Sequence, residues 1–576
     1  MILRTLSLSL ALLAAGCDGP AVATVYYVDY AAGKDTASGT SPTTPWKHAP
    51  GDPDAEDKAA SATLGPGDIV RFKGGVAYRG SIRARFDGAT DQPITYAGSG
   101  YGTGAAIIEG ADPVTAVTPC ASAAACDGAP AWKSLSIVTF TPPPTSFIKF
   151  YDAEGILKES QWPVPQDSFF SDEIAGFAES ALADKAKIEG GKLDSPKLAK
   201  LLGTAPSGTL QIWVFGNMVV RRPVTAVNGN VLSFDPAGIR LYPDRPGRYA
   251  LIGSVAAIAA PGQYAEAGPG RAIVWSRPGG DLMVGNGRGG FDVTGRSHIT
   301  ISGFVFRHQT AAFGTRTEGA PITRAGRAGT DFVIDGNRFE DSALWDGKGV
   351  ITLSNMDGAR ITNNTIARIE RGSGMRLGVN NRHITVSGNT IDRVGRTGIA
   401  FLGASDSLIS NNVITGLRGV HGNGMSLYLN NRRITVVNNR VLDTVRPMTF
   451  HGDRNTVAPG DHDFLIERNI FIATPISQAA LTSWGASTRG VTIRNNVLVA
   501  RRAGLLANES DAGVAITNNF ASGIAFNRSQ PAGWTVKDNQ TASADLRFIA
   551  DDPDNNKKLC QGAAVAAKQM LGGIPC

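Results

Sequence analysis

The sequence is short of several things, and each shortage rules something out. Among 576 residues there is no Lys/Arg-rich run and no basic helix, and the formal charge is only +6. The electrostatic footprint of a nucleic-acid binder is therefore missing. Five cysteines occur, none of them in a C-x-x-C pair, which speaks against a structural zinc site. The apolar stretch at Leu6–Ala15 is too short to cross a bilayer as a helix. Aromatics are sparse at 7%, and helical periodicity is missing from the second half of the chain. A helical bundle is thereby excluded there.

What the chain has in quantity is glycine, 69 residues, and a recurring asparagine. The beat runs through Asn337, Asn364, Asn389, Asn412, Asn439, Asn469, Asn496 and Asn519, in steps of 27, 25, 23, 27, 30, 27 and 23 residues. Such a period, built from short alternating segments, marks a solenoid. Three consecutive units read GMRLGVNNRHITVSGNTI, GIAFLGASDSLISNNVI and GMSLYLNNRRITVVNNRV. Each holds two runs of period-2 alternation, so Met375, Leu377, Ile399, Phe401, Met425 and Leu427 are expected to point inward. Gly374, Gly398 and Gly424 open the first runs, where a tight turn without a Cβ is expected. The fold class expected is an all-β solenoid, a right-handed parallel β-helix whose coils stack about 4.8 Å apart. The asparagines are then structural: each amide sits in a bend and bonds to the next coil.

These repeats resemble the pectate-lyase-like β-helix proteins, mostly secreted polysaccharide lyases and glycoside hydrolases with some epimerases. The resemblance is strongest over Gly289–Asn527. It also reaches VYYVDYAAGKDTASGTSPTTPWKHAPG (Val25–Gly51) and LGPGDIVRFKGGVAYRGSI (Leu64–Ile82), which look like the opening segment and first coil of such proteins. It implies a carbohydrate-active protein and leaves the reaction open, because one fold hosts many chemistries.

The chain is read as five parts. Residues 1–23 are an export signal, with Arg4 as the positive flank. Cleavage after Ala21–Ala23 competes with a lipoprotein reading of LAAGC that would lipidate Cys17, the only membrane attachment expected. First coils follow at 24–112. An inserted mixed-β module occupies 113–288, with a helix after Ser195 and a second within Glu173–Lys187. The main β-helix spans 289–530. A C-terminal cap at 531–576, with a helix at Ala563–Leu571, would cover the last open edge. The near neighbours Cys120/Cys126 and Cys560/Cys576 are each expected to close a short loop, as suits an oxidising compartment. The protein is expected to be a monomer acting outside the cytoplasm, in the periplasm, secreted or on the outer surface.

Stacking turns the letters into a surface. The first strands, aligned, give outward columns Thr352/Arg376/Ala400/Ser426/Thr449 and Ser354/Gly378/Leu402/Tyr428/His451. The second brings Tyr428 and His451 to adjacent coils, with Cα atoms about 5 Å apart. The loops entering these strands form a row of Asp346 and Lys348, Glu370 and Arg371, Arg393 and Arg396, then His421 and Asn423. Trp345 and Trp484 would offer sugar-stacking faces. His383 and Arg432, which recur at one repeat place, are read as structural or solvated.

This group suits β-elimination on a uronic-acid polysaccharide. Arg376 and Arg371 would offset the carboxylate, His451 or His421 would take the C5 proton, and Tyr428 would serve as base or acid. Lys348 is a further candidate base, and Arg396 and Asn423 further saccharide contacts. Three alternatives stand beside it: a glycoside hydrolase using Asp346 and Glu370, a C5-epimerase, and a non-catalytic carbohydrate-binding protein. Periplasmic alginate epimerases carry Asp-Pro-His-Asp; this chain has only GDHD at Gly460–Asp463, which would make His462 the suspect. The cofactor is left open. Some β-helix lyases hold calcium, but no acidic cluster with calcium-ligand spacing stands beside Lys348 and Arg376.

Overall fold

The computed structural model describes residues 23–541, apart from 144–147, 174–175, 204–205, 216–217, 243–246, 280, 311–321, 325–327, 345–347, 452–460, 475–476, 484–487, 508–511, 527–528 and 531. The export signal with Cys17, the Cys560/Cys576 pair and the Ala563–Leu571 helix lie outside the described residues.

The protein is a right-handed parallel β-helix. Three long sheets of 13, 12 and 11 strands run its length. In the 13-stranded sheet, inward residues at one register place form a single row: Ile301, Ile334, Ile361, Val386, Ile409, Val436, Ile466, Ile493 and Ile516. All are buried. Burying each such side chain contributes about 1.5–3 kcal/mol, so the row is a main source of stability.

The asparagines form the ladder expected of them. Each Nδ2 donates to the Oδ1 of the next coil's asparagine, from Asn337 through Asn364, Asn389, Asn412, Asn439, Asn469, Asn496 and Asn519 to Asn539, at 2.9–3.1 Å. Each backbone N–H from Asn337 to Asn519 donates to that same oxygen. The residue before each rung is left-handed, with φ between 55° and 68°. That bend aims the amide along the stack.

The glycines opening the first strands have a different cause from the one expected. Gly374, Gly398 and Gly424 do not have positive φ. Space is what they lack: a Cβ on Gly424 would meet Val441 Cγ1 at 2.2 Å, and one on Gly374 would meet the Gly398 carbonyl oxygen at 2.6 Å. The register also differs at one outer place. Arg382 aligns with Ser405 and Arg432. His383, one residue on, falls in step with Asp406 and Arg433 rather than with Arg432, and it pairs with Asp357 at 2.6 Å.

The insertion is spliced out of the solenoid. Ile94–Ala97 pairs directly with Ile299–Ser302, and Ile107–Glu109 with Val305–Arg307. The chain leaves the stack near Ala111 and rejoins it near Phe291. Between them lie antiparallel-rich sheets of three to five strands, with cores of their own. The helix after Ser195 is Pro196–Leu202; the Ser195 hydroxyl accepts from the Leu198 N–H at 3.4 Å, and Leu198, Ala199 and Leu202 are buried. The second helix is shorter and later than expected, Lys185–Glu189. Cys120 and Cys126 form a disulfide with Cα atoms 5.9 Å apart.

Candidate functional site

Six strands of the 11-stranded sheet make one wall: Gly349–Leu353, Ser373–Leu377, Ile399–Leu402, Asn423–Tyr428, Arg446–Phe450 and Ala479–Ser483, paired in that order. Their register puts Thr352, Arg376, Ala400, Ser426, Thr449 and Thr482 in one outward column. Met375, Leu377, Met425 and Leu427 point inward and are buried. Alternation along a strand forces this division once the apolar face is committed to the core.

At the next outward place Leu402 pairs with Tyr428. His451 follows Phe450, its N–H donating to the Leu427 carbonyl at 3.0 Å. The Tyr428 and His451 rings meet with centroids 4.3 Å apart. The Tyr428 side chain folds back over the column. Its hydroxyl oxygen accepts from Asn423 Nδ2 at 3.0 Å and from Thr449 Oγ1 at 3.0 Å. Asn423 Nδ2 also donates to Ser426 Oγ at 3.2 Å, and the Ser426 and Thr449 hydroxyls lie 3.0 Å apart. Asn423 is buried, and its Oδ1 has no hydrogen-bond partner among the described residues.

Two guanidiniums belong to this wall. Arg446 pairs in register with Asn423, one coil on. Burial lowers its pKa, and the Tyr428 oxygen opposes that shift. The sequence reading did not find Arg446, because it sits at the edge of a strand opened by an Arg-Pro pair instead of by glycine. Arg376 is half-buried three coils from Arg446. Burial lowers its pKa too, with no carboxylate among the described residues to offset it.

Four of the other loop-row candidates turn to the inserted module: Glu370, Arg371, Arg393 and Arg396 face its residues. Glu370 is almost wholly buried, with Oε1 2.8 Å from Lys149 Nζ and Oε2 3.5 Å from Lys158 Nζ. Burial pushes its carboxyl up, but the two ammoniums outweigh that and hold it at about 2. Arg396 pairs with Asp172 at 2.6 Å and Arg393 with Asp167 at 2.9 Å. Arg371 is buried at φ 62°, its charge acting on Glu370, Glu159 and Arg221. Glu370 and Arg396 therefore tie the module to the coils, and Arg371 lies in the same buried charge cluster. Glu370 pairs in register with Ala343. A carboxyl held ionised cannot act as a glycosidase's acid.

His421 is half-buried in a left-handed turn two residues before Asn423, with φ 60°. Lys348 is half-buried just before the first wall strand, its carbonyl accepting from the Ser373 N–H at 2.9 Å. His462 is buried, with Nδ1 2.8 Å from the Asn431 carbonyl oxygen. Trp345, Asp346 and Trp484 lie outside the described residues. Among the described residues no group of three or more His, Cys, Asp or Glu side chains is placed to hold a metal ion.

One carboxylate pair stands on the module. Glu159 pairs in register with Tyr264, and Glu266 lies two residues further along that strand, on the same face. Glu159 Oε2 is 3.5 Å from Arg221 Nη1. Burial pushes the Glu159 carboxyl up, but Lys149, Arg221 and Arg371 together bring it below its ordinary value. The outer surface of Glu266 is exposed, yet desolvation, reinforced by the Glu159 charge, pushes its carboxyl up to about 7.

Comparison with known proteins supports the architecture. The family model described as a right handed beta helix region matches residues 284–458 and 348–521. These matches cover the main coils, and the fold they describe is the one the stacked parallel sheets form. Among solved structures it is similar to one titled a glycoside hydrolase, at 11% identity and TM-score 0.56, covering 93% of this chain and 100% of that one. It is also similar to a complex of XylC with xylose, at 13% identity and TM-score 0.42, covering 86% and 68%. A third is a GH136 lacto-N-biosidase from Eubacterium ramulus, at 12% identity and TM-score 0.31, covering 90% and 67%. At these identities the likeness concerns the fold alone. No curated protein matches the sequence.

Proposed function

We propose that the protein is a carbohydrate-active enzyme that cleaves a uronic-acid saccharide by β-elimination on the wall of Asn423, Tyr428, Arg446 and His451. The observation that carries this reading is the Tyr428 hydroxyl. Its oxygen accepts two hydrogen bonds, from Asn423 and Thr449, and the His451 ring lies against the Tyr428 ring with centroids 4.3 Å apart. Both neighbours donate to that oxygen, so neither bond uses the phenol's own proton, which in this reading goes to the substrate.

In this reading Arg446 faces the uronate carboxylate and makes the C5 proton more acidic. The unpartnered Oδ1 of Asn423 accepts from a sugar hydroxyl. His451 removes the C5 proton, and that electron pair becomes the C4–C5 double bond. The C4–O4 bond breaks with its pair on O4, and Tyr428 gives O4 its proton. The Asn423 and Thr449 donors stabilise the charge that develops on the phenol oxygen. The imidazolium, in ring contact, returns the proton to Tyr428. The products are an unsaturated uronate end and a new reducing end.

A second reading has one observation in its favour: on the module, Glu159 and Glu266 have their carboxyls driven in opposite directions, as a hydrolytic base and acid require. Incubation with acidic polysaccharides separates the two. Growth of the unsaturated-uronate absorbance supports elimination; new reducing ends without it support hydrolysis. Tyr428→Phe and His451→Ala should each lower turnover by about 10²–10⁴ while leaving thermal unfolding nearly unchanged. Retained activity in both variants would remove the proposed site. We place the protein's work outside the cytoplasm, on the strength of its N-terminal apolar stretch and of the Cys120–Cys126 disulfide.

A further inference from the structure

The ring contact between Tyr428 and His451 constrains the sugar, on the understanding that this site performs the elimination proposed above. We infer that the substrate carries its C5 hydrogen and its O4 on the same face of the ring, as D-mannuronate and D-glucuronate do. D-galacturonate, L-guluronate and L-iduronate carry them on opposite faces.

The argument is one of reach. An elimination across opposite faces needs its base and acid on either side of a pyranose ring. Even in glycosidases, carboxyl groups flanking a sugar's scissile bond stand about 5–5.5 Å apart when one attacks directly and about 6.5–9.5 Å when a water lies between. A base and an acid on either side of a whole pyranose ring need more room than two rings in contact leave. Tyr428 and His451 have ring centroids only 4.3 Å apart, and they project from adjacent strands of one sheet. No ring fits between them. They can address a sugar from one side only.

The supporting shell holds them there. Tyr428 is pinned by Asn423 and Thr449. His451 is fixed at its backbone to Leu427, the residue before Tyr428. The residues beneath, Ser426 and Thr449, are fully buried, so neither ring can sink to make room. Arg446, in register with Asn423, rises from the same strands. The carboxylate contact and both proton transfers therefore fall on one side of the substrate. Adjacent carbons C5 and C4 then present hydrogen and oxygen in the same direction, which matches two acid–base groups in van der Waals contact.

The test uses the full-length protein with four defined polymers: poly-D-mannuronate, poly-D-glucuronate, poly-D-galacturonate and poly-L-guluronate, each followed by unsaturated-uronate absorbance. The expected result is product from mannuronan or glucuronan, with at least a hundredfold lower kcat/KM on galacturonan and guluronan. Equal or preferred cleavage of galacturonan or guluronan would overturn the inference while leaving elimination intact. No unsaturated product from any of the four would overturn the elimination reading and this inference with it. Tyr428→Phe and His451→Gln, checked for native thermal unfolding, should both abolish the mannuronan or glucuronan signal. A signal that survives in both would place the chemistry on other residues and sink the stereochemical claim.

Discussion

Asn412→Ala removes one rung from the middle of the ladder, and its cost can be worked from the bonds lost. Asn412 Oδ1 accepts from the Asn389 backbone N–H and from Asn389 Nδ2, each at 3.0 Å. Its Nδ2 donates to the Val386 carbonyl and to Asn439 Oδ1, each at 2.9 Å. Alanine leaves the buried Asn389 N–H without that acceptor, which costs about 1–3 kcal/mol, and gives up three more bonds worth about 1 kcal/mol each. Asn389 Nδ2 keeps Ile361 and Ser387, and Asn439 Oδ1 keeps the Asn412 N–H, so part of this is recovered. The expected loss is about 3–5 kcal/mol. Asn539→Ala, at the partly exposed end of the same row, should cost only about 1 kcal/mol because water can replace the lost partners. Urea unfolding of both variants measures the difference, and hydrogen exchange at the Asn389 amide localises it. If the two variants fall within about 1 kcal/mol of each other, the ladder contributes far less than its bonding suggests and the reasoning fails.

Further perturbations bear on the module, the helix and the wall. Glu370 has its carboxyl near 2 in the folded protein against an ordinary 4.5, so the folded state binds fewer protons between those values. Its stabilisation is therefore complete above about pH 4.5 and is lost as the pH falls towards 2, amounting to about 3 kcal/mol; acid titration of stability in the wild type and in Glu370→Gln should show this step only in the former. At pH 7 Glu370→Gln removes the carboxylate 2.8 Å from the buried Lys149 ammonium, with an expected loss of about 3–5 kcal/mol by denaturant melting. Ser195→Ala should cost about 1 kcal/mol through the lost cap on Pro196–Leu202. Arg376→Gln should leave Tm unchanged or slightly raised, since it relieves a half-buried charge with no acid beside it among the described residues, while raising KM for an acidic saccharide at low salt; an unchanged KM would take Arg376 out of substrate binding.

The fold could be read from the letters because a solenoid repeats its physics. The Asn beat, the alternation of Met375 with Leu377 and the recurrence of glycine each restate one coil, so errors in one unit are corrected by the next. The wall followed from the same repetition: Arg376, Ser426 and Thr449 occupy the column expected of them, and Tyr428 meets His451. What could not be read was set by contacts that do not repeat. Lys149 and Glu370 are 221 residues apart, and nothing in either segment announces the other. Charges that look like a polar groove along the coils are instead partners for Asp167, Asp172 and Lys158 on the module. Arg446 escaped notice for a related reason, since its strand replaces the recurring glycine with Pro447 and so breaks the pattern used for alignment.

The splice between Ile94 and Ile299 has a consequence for how the molecule is made. A strand in the main coils waits about 25 residues for its neighbour, but Ile94–Ala97 must wait for a partner 205 positions downstream. A flexible loop that much longer, roughly three doublings, adds about 2 kcal/mol of closure entropy, and on the ribosome it leaves an open β-edge exposed for the time needed to synthesise it. The insertion itself supplies the remedy. Its first strand, Ala111–Pro113, pairs with its last, Met283–Gly285, so once the module has folded its two ends lie side by side and the distant partner is delivered almost in place. Truncations that unfold the module should therefore make the nascent amino-terminal coils prone to aggregation, even though those residues are untouched.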